Sequence, residues 1–111
     1  MTLVRDTELQ ALLRDGKIQE FNARVENDPP DLENADLRAT DLREAHLRYA
    51  NLRGTYLRNA DLCGLDLSYA EMDGASVHAA RISGTLFPRS IPADEIALSL
   101  QQGTRMRSSK G

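Results

Sequence analysis

Two histidines and one cysteine are the side chains of this 111-residue chain with the clearest capacity for chemistry. His46, His78 and Cys63 could share a zinc ion, or a histidine could activate the thiol as a nucleophile, if the fold brought them together. Carboxylates are frequent, but general acid catalysis needs a pocket that raises the pKa of one of them. The sequence contains no glycine-rich phosphate-binding motif of the P-loop or dinucleotide-binding kind. Catalysis therefore depends on how the fold places these few residues.

Arginines and tyrosines offer a different chemistry, the binding of a partner, because both are enriched where proteins bind one another. Five arginines recur at every fifth position from Arg38 to Arg58. The candidate partner surface consists of Arg38, Arg53, Arg58, Tyr49 and Tyr69. Two alternatives stay open: the arginines can pair with flanking aspartates as a solvated face, and the tyrosines can pack on neighbouring side chains. The solvated face is favoured over phosphate binding by the arginines, and packing on neighbouring side chains is favoured over partner binding for the tyrosines.

An apolar residue at every fifth position organises the middle of the chain. The apolar series is Leu32, Leu37, Leu42, Leu47, Leu52, Leu57, Leu62, Leu67, Met72, Val77, Ile82 and Phe87. From Ala35 to Thr85 a small residue stands two places before each of them, with Leu65 the one bulky exception. Self-similarity at a fixed step predicts a repeat architecture over residues 30–89. Leu65 then needs a bulged corner or a smaller neighbour.

A five-residue period fits neither a helix nor a flat strand. Residues five apart on an α-helix are about 140° apart around the axis, so the leucines would scatter over every face. On a strand an odd step would place successive leucines on opposite faces. The period is instead typical of a chain that turns a corner once per repeat and keeps each leucine pointing inward.

The successive repeats A-D-L-R-A, T-D-L-R-E, A-H-L-R-Y, A-N-L-R-G, T-Y-L-R-N and A-D-L-C-G resemble those of the pentapeptide-repeat protein family. The resemblance covers about 60 residues. It implies an all-β solenoid, a right-handed quadrilateral β-helix with four repeats per coil and about three coils. Every fourth repeat would then share one side of the prism. The four inward ladders would be Leu32, Leu52, Met72; Leu37, Leu57, Val77; Leu42, Leu62, Ile82; and Leu47, Leu67, Phe87.

Four repeats per coil also separate the reactive residues. His46 and His78 would lie on opposite sides and Cys63 on a third, which excludes a shared metal ion or a nucleophile pair among them. Arg38 and Arg58 share one side, and Tyr49 and Tyr69 share one edge. We therefore expect no catalytic residue, no cofactor and no metal.

Helical segments are predicted at both ends of the repeats. Apolar residues in residues 7–25, interrupted at Gly16, predict a helical hairpin within an N-terminal cap of residues 1–29, with Asp6 or Thr7 as its N-cap. The hairpin could be a docking surface, but a cover for the first coil is the favoured interpretation. Pro92 predicts the start of a helix within residues 90–103, with an apolar face of Ala93, Ile96, Ala97 and Leu100. Residues 104–111 are predicted to be a disordered tail.

Composition narrows the class of protein further. A net charge of −3 does not favour general nucleic-acid binding. No apolar run is long enough to span a bilayer and no signal peptide is predicted at the N-terminus. The single Cys63 cannot form an internal disulfide, which favours a reducing cytoplasm.

These observations favour a non-catalytic interaction or scaffold module that binds a protein partner whose identity the sequence does not reveal. The alternative comes from the resemblance alone, since some members of the family mimic DNA, bind a type II topoisomerase (gyrase) and confer resistance to its poisons. Those members are long, acidic rods, whereas this repeat region is short and nearly neutral. An enzyme is not expected. The chain is expected to be a monomer if the C-terminal helix covers the last coil, and otherwise an end-to-end homodimer.

Overall fold

The computed structural model describes residues 7–109 of the chain. It contains the helices α1 (Thr7–Arg14), α2 (Ile18–Arg24) and α3 (Ala93–Gln102). Between residues 7 and 109 no extended strand is assigned, and the repeat region pairs through isolated parallel bridges. The predicted N-cap Asp6 and the last two residues of the predicted tail lie outside the described residues.

The repeat region returns beside itself every 20 residues. Parallel bridges join Asp31 to Asn51 and Asn51 to Glu71, and the same step recurs on the other three sides. Backbone hydrogen bonds follow this step: the Leu32 N–H donates to the Asn51 carbonyl at 2.9 Å, and the Asn51 N–H donates to the Pro30 carbonyl at 2.9 Å. We call each return a coil, with the first at 31–50, the second at 51–70 and the third at 71–90.

A tight turn after each inward residue explains why the bridges do not extend into strands. The Ala35 N–H donates to the Leu32 carbonyl at 2.9 Å, and the Ala60 N–H donates to the Leu57 carbonyl at 3.0 Å. The same bond, from an N–H to the carbonyl three residues earlier, recurs in most repeats, and after Leu37 the Thr40 hydroxyl replaces the N–H as donor. Only a short straight piece of each side therefore runs beside the neighbouring coil. The prediction was an all-β solenoid, whereas the described residues pair through isolated bridges and form no extended strand or sheet.

The inward residues form the core of the stack. The first ten members of the apolar series, from Leu32 to Val77, are buried to 1% exposure or less. Ile82 and Phe87 are only partly buried, because no further coil covers them. Burying a side chain of this size stabilises the fold by about 1.5–3 kcal/mol. The small residues Ala50, Ala60 and Ala75 are also fully buried.

Leu65 fits this core without a bulge. Its N–H donates to the Leu62 carbonyl at 3.1 Å, as at other corners, and its carbonyl accepts from the Leu86 N–H at 2.9 Å. The residues 20 positions before and after it are Ala45 and Thr85. The side chain of Leu65 is therefore accommodated by smaller residues at the equivalent positions of the neighbouring coils, and not by a bulged corner.

The predicted N-terminal helical hairpin is present as α1 and α2, with Gly16 between them at a φ of 76°. Side chains of both helices satisfy the open backbone groups of the first coil. The Gln10 side chain accepts from the Asp36 N–H at 3.2 Å. Asn22 accepts from the His46 N–H at 2.8 Å and donates to the Glu44 carbonyl at 2.9 Å. The hairpin thus supplies hydrogen bonds that a lower coil would otherwise provide.

At the other end α3 lies over part of the third coil. Pro92 is its N-cap and Gly103, at a φ of 75°, is its C-cap. Its buried face differs from the prediction, because Ala93 and Ala97 are exposed whereas Ser99 is fully buried. The Ser99 hydroxyl accepts from the Val77 N–H at 3.0 Å. A polar side chain is needed there because that N–H has no coil above it.

The prediction of a disordered tail from residue 104 is wrong for residues 104–109. Met106 is fully buried. Its carbonyl accepts from the Gly74 N–H at 2.7 Å, and its N–H donates to the Ala75 carbonyl at 2.8 Å. The Ser109 N–H also donates to the Ser90 carbonyl at 2.6 Å. The segment is polar and short, but one apolar side chain and three backbone hydrogen bonds dock it as if it began a fourth coil.

Half of the last coil stays open. The N–H groups of Leu62, Gly64 and Leu67 all donate to the third coil. Their third-coil equivalents, the N–H groups of Ile82, Gly84 and Phe87, have no partner among residues 7–109. We call the segment 82–87 the open rim. Leu86, on this rim, is 58% exposed.

Candidate functional site

Tyr49 and Tyr69 form an exposed aromatic pair. The two side chains are 58% and 60% exposed. Their ring centroids lie 5.3 Å apart and the rings are tilted by 17°, so they stack as predicted. They occupy the same corner in successive coils, and the 20-residue step therefore holds them in line. Offset stacking of this kind adds about 0.5–1.5 kcal/mol to the pair.

Arg48 completes this surface, although it was not among the residues predicted for the candidate partner surface. Its guanidinium lies 5.6 Å from the Tyr49 ring centroid and 5.0 Å from that of Tyr69. A 3.2 Å ion pair with Asp66 holds it in place. The sequence shows only that Arg48 precedes Tyr49, and the position of its guanidinium over both rings comes from side-chain geometry. We call Arg48, Tyr49 and Tyr69 the tyrosine edge.

A cleft of about 380 Å³ lies beside the tyrosine edge. One wall is the segment from Val25 to Pro30 that links α2 to the first coil, and the other is formed by His46, Arg48 and Tyr49. Apolar groups of its lining come from Val25, Pro29, Pro30 and Tyr49, and polar ones from Glu26, Asn27, Asp28, His46 and Arg48. The edge therefore combines flat aromatic surface with a concave, partly apolar neighbour.

The other predicted partner residues lie elsewhere around the coils. Arg53 follows Leu52 on a different side from Arg38 and Arg58, and it pairs with Glu71 at 3.2 Å. The five predicted residues therefore do not form one surface. They divide into the tyrosine edge, the paired Arg53, and the side that carries Arg38 and Arg58.

Arg38 and Arg58 line a second cleft, of about 330 Å³. We call it the arginine cleft. It is lined by Arg38, Arg58, His78, Tyr56, Ser76 and the end of α3 at residues 102–103. None of these residues carries a carboxylate. Arg38 is bound outside this set by Asp36, at 2.8 Å from its Nε and 2.8 Å from its Nη2.

Ion pairing shapes the electrostatics of the repeat faces. Hydrogen bonding from Arg38 holds the pKa of Asp36 well below its usual range, against a smaller opposing effect of burial. The hydrogen bond from Arg43 lowers the pKa of Asp41 to about 2. Ser68 likewise lowers the pKa of the Asp66 carboxyl by hydrogen bonding. These carboxylates stay ionised at neutral pH and alternate with arginines around the coils.

The residues with catalytic potential are not brought together. Among residues 7–109 no three side chains of histidine, cysteine, aspartate or glutamate lie close enough to hold one metal ion. Cys63 is partly buried and unpaired. His46 lines the cleft beside the tyrosine edge, whereas His78 lines the arginine cleft. None of the helices described within residues 7–109 is long and apolar enough to cross a bilayer.

Comparison with known proteins gives one positive result. The family model for pentapeptide repeats matches residues 31–62 and 45–84, with eight copies of the repeat. These matches fall on the coils described above. No curated protein and no solved structure matches the chain.

Proposed function

Because this chain is a pentapeptide-repeat protein, we propose that residues 30–89 form the right-handed quadrilateral β-helix that the family implies. The 20-residue step of the bridges supports four repeats per coil and about three coils. The hairpin of α1 and α2 acts as the cap within residues 1–29, and α3 as the cap within residues 90–103. Their hydrogen bonds to the first and last coils support this division.

We further propose that the protein is a non-catalytic interaction module that binds another protein through the tyrosine edge. One observation carries this function: two stacked tyrosines and an arginine are exposed on a rigid corner. Tyr and Arg dominate the energetically important positions of protein interfaces. The rings are already aligned by the coils, so a partner that binds them loses little conformational entropy.

The surroundings indicate what the partner presents. Arg48 is neutralised by Asp66, so the edge offers aromatic surface rather than net charge. The neighbouring cleft offers Val25, Pro30 and the flank of Tyr49. An apolar or aromatic side chain of a partner fits these groups best, with its polar neighbours meeting Arg48 and His46 at the rim.

Mixed charge on the faces does not support the alternative of a DNA mimic that binds a type II topoisomerase. Such a mimic needs one continuous acidic stripe. In this chain the acids of successive coils are interrupted by arginines, as the pairs of Arg43 with Asp41 at 2.7 Å and with Asp61 at 3.4 Å illustrate. These mixed columns favour the interaction module.

The proposed function is tested by affinity capture with three baits: the wild type, Tyr49→Ala/Tyr69→Ala, and the control Tyr56→Ala. Tyr56 is also an exposed tyrosine, at 42%, but lies on the side of the arginine cleft. We expect the wild type and the control to retain one common partner and the double variant to lose it. Thermal unfolding of each bait establishes that the fold is intact.

Two results would contradict the proposal. Retention of every partner by the double variant would exclude the tyrosine edge as the binding surface. Capture of a type II topoisomerase by all three baits would favour the DNA mimic instead.

A further inference from the structure

The arginine cleft contains Arg58, whose guanidinium has no acidic partner, unlike the other arginines of its series. Arg58 makes no ion pair or side-chain hydrogen bond with any residue from 7 to 109, and its side chain is exposed. The other arginines of the series from 38 to 58 are each paired with an acid. The closest of these ion pairs are Arg38 with Asp36 at 2.8 Å, Arg43 with Asp41 at 2.7 Å, Arg48 with Asp66 at 3.2 Å, and Arg53 with Glu71 at 3.2 Å.

The repeat register explains this difference. An arginine after the inward residue can meet an acid two places earlier, as Arg38 meets Asp36, or an acid 18 places later in the next coil. The second kind of pair joins Arg43 to Asp61, Arg48 to Asp66 and Arg53 to Glu71. For Arg58 these two places are occupied by Tyr56 and Ser76. The sequence therefore omits both neutralising carboxylates at this point.

His78 extends the same column in the third coil. Its Nδ1 atom is buried and has no hydrogen-bond partner among the described residues. A buried polar atom without a partner is rare in folded proteins. The backbone of Gly103 lies against this ring. It is so close that a Cβ atom added at Gly103 would lie 3.4–3.5 Å from the imidazole. The end of α3 thus forms the wall of the cleft beside the imidazole.

Three hydrogen-bond acceptors around the cleft are already occupied. The Leu100 carbonyl accepts from the Ala79 N–H at 3.1 Å, and the Gly103 carbonyl accepts from the Ser76 hydroxyl at 3.2 Å. The Tyr56 hydroxyl accepts from Arg105 at 2.8 Å, which brings a further guanidinium to the border of the cleft. These three oxygens therefore do not use the N–H donors of Arg58.

We propose that the arginine cleft binds an oxyanion, a phosphate or carboxylate group, with Arg58 as its principal ligand. Arginine binds both groups through paired N–H donors, and charge-assisted bonds of this kind are the strongest hydrogen bonds in proteins. Arg38 and His78 border the bound group on either side of Arg58, one coil away in each direction. This site lies on a different side of the coils from the tyrosine edge and does not depend on the proposed function.

The test is an NMR titration at constant ionic strength, in which chloride is replaced by inorganic phosphate in one series and by acetate in the other. Constant ionic strength keeps general screening of charges the same throughout. We expect saturable shifts of the Arg58 Nε–H and of the backbone amides of His78 and Gly103. The relative affinities for phosphate and acetate distinguish the two sources of the oxyanion.

Three variants locate the site. Arg58→Gln removes the guanidinium and is expected to weaken binding about tenfold or more, the loss of one strong charge-assisted bond. Ser76→Asp introduces a carboxylate 18 places after Arg58, where the other columns have an acid, and is expected to block the anion. Arg81→Gln is the control, since Arg81 is exposed and also has no ion-pair partner among residues 7–109. The amide spectrum of each variant reports that it is folded.

Shifts that rise linearly without saturation would overturn the proposal. Equal affinity of the wild type and Arg58→Gln would overturn it as well. Binding that survives in Arg81→Gln but is lost in both Arg58→Gln and Ser76→Asp is the result expected.

Discussion

Single residues of the repeat have separate structural tasks. The inward leucine supplies burial, and the small residue two places before it allows the corner to close. An acid before the leucine accepts the N–H of the residue after it, as Asp36 does from Arg38 at 3.2 Å. The same Asp36 carboxylate then holds the Arg38 guanidinium. One side chain therefore fixes both the turn and the orientation of its neighbour, which makes the exposed faces more ordered than their exposure suggests.

Leu57 tests the contribution of the inward position. Its side chain is 1% exposed in the second coil, with Leu37 and Val77 in the neighbouring coils. We expect Leu57→Ala to lower the free energy of unfolding by about 2–5 kcal/mol, because lost burial is combined with a cavity. Urea unfolding measures this change. Leu98→Ala is the matched control, since Leu98 is 37% exposed on α3, and equal losses in the two variants would contradict the assignment of the core.

Asp41 provides a prediction on pH. Its pKa is about 2 in the folded protein, against 3.8 for the free side chain. Because the folded value is the lower one, its stabilising effect is complete above about pH 4 and is lost as the pH falls toward 2. The exposed pair with Arg43 contributes about 0–1 kcal/mol. A carboxyl titrates between about pH 5 and pH 2. Over this range, thermal unfolding should show that Asp41→Asn loses less stability than the wild type does.

The control for this measurement is Asp28→Asn, which removes a carboxylate that makes no ion pair among residues 7–109. Its acid profile should follow that of the wild type. If Asp41→Asn shows the same acid dependence as Asp28→Asn, the pair with Arg43 does not stabilise the fold.

Elements at the two ends share the task of satisfying open backbone groups. Side chains of α1 and α2 do so at the first coil, whereas α3 and residues 104–109 do so at the third. The first end is closed by side-chain groups of Gln10 and Asn22. The other end uses the Ser99 hydroxyl and the backbone of Met106. Different chemical groups therefore satisfy open backbone groups at opposite ends of the stack.

Met106 tests the docked C-terminal segment. We expect Met106→Ser to release residues 104–109, because the segment loses its one fully buried apolar side chain. The Gly74 amide, which donates to the Met106 carbonyl, should then exchange with solvent much faster. Hydrogen exchange followed by NMR measures this amide, with Ser108→Ala as the control. An unprotected Gly74 amide in the wild type would restore the prediction of a disordered tail.

The sequence was most informative about the repeats and least informative about the segments that cover them. The leucine period predicted burial from Leu32 to Val77, because each copy reports the same environment independently. Ser99 and Met106 were missed because each occurs once and satisfies a backbone group whose position depends on the whole stack. The stacking of Tyr49 on Tyr69 followed from the 20-residue step. The role of Arg48 required side-chain geometry that no periodicity specifies.

The molecule as a whole is asymmetric along its stack. Its extents are 34 × 30 × 20 Å. The third coil is half covered, by α3 and Met106, and half exposed along the open rim. An open row of backbone donors with apolar neighbours favours pairing with another chain. We propose that two copies of this protein associate through their open rims. An end-to-end homodimer was the expectation from the sequence for a last coil that the C-terminal helix does not cover completely.

Sedimentation or light scattering over a range of concentrations tests this association. We expect a dimer at the higher concentrations and a monomer for Leu86→Glu, because the new charge lies on the open rim. Leu98→Glu is the matched control, since Leu98 is also exposed, at 37%, but lies on α3. A wild-type protein that stays monomeric at every concentration would contradict the proposed dimer.

The 20-residue step also determines which insertions and deletions the chain can absorb. Deleting residues 51–70 removes one full coil, so every later residue stays on the same side of the stack. The orientation of α3 relative to the hairpin is then also unchanged. Deleting only residues 51–55 moves every later residue to the neighbouring side of the stack. His78 would then leave the column of Arg38, and Tyr69 would leave that of Tyr49. Deletion of residues 51–70 would nevertheless remove Arg58 and Tyr69, and with them both proposed sites. A twenty-residue change therefore preserves the side on which each remaining residue lies, whereas a five-residue change shifts it.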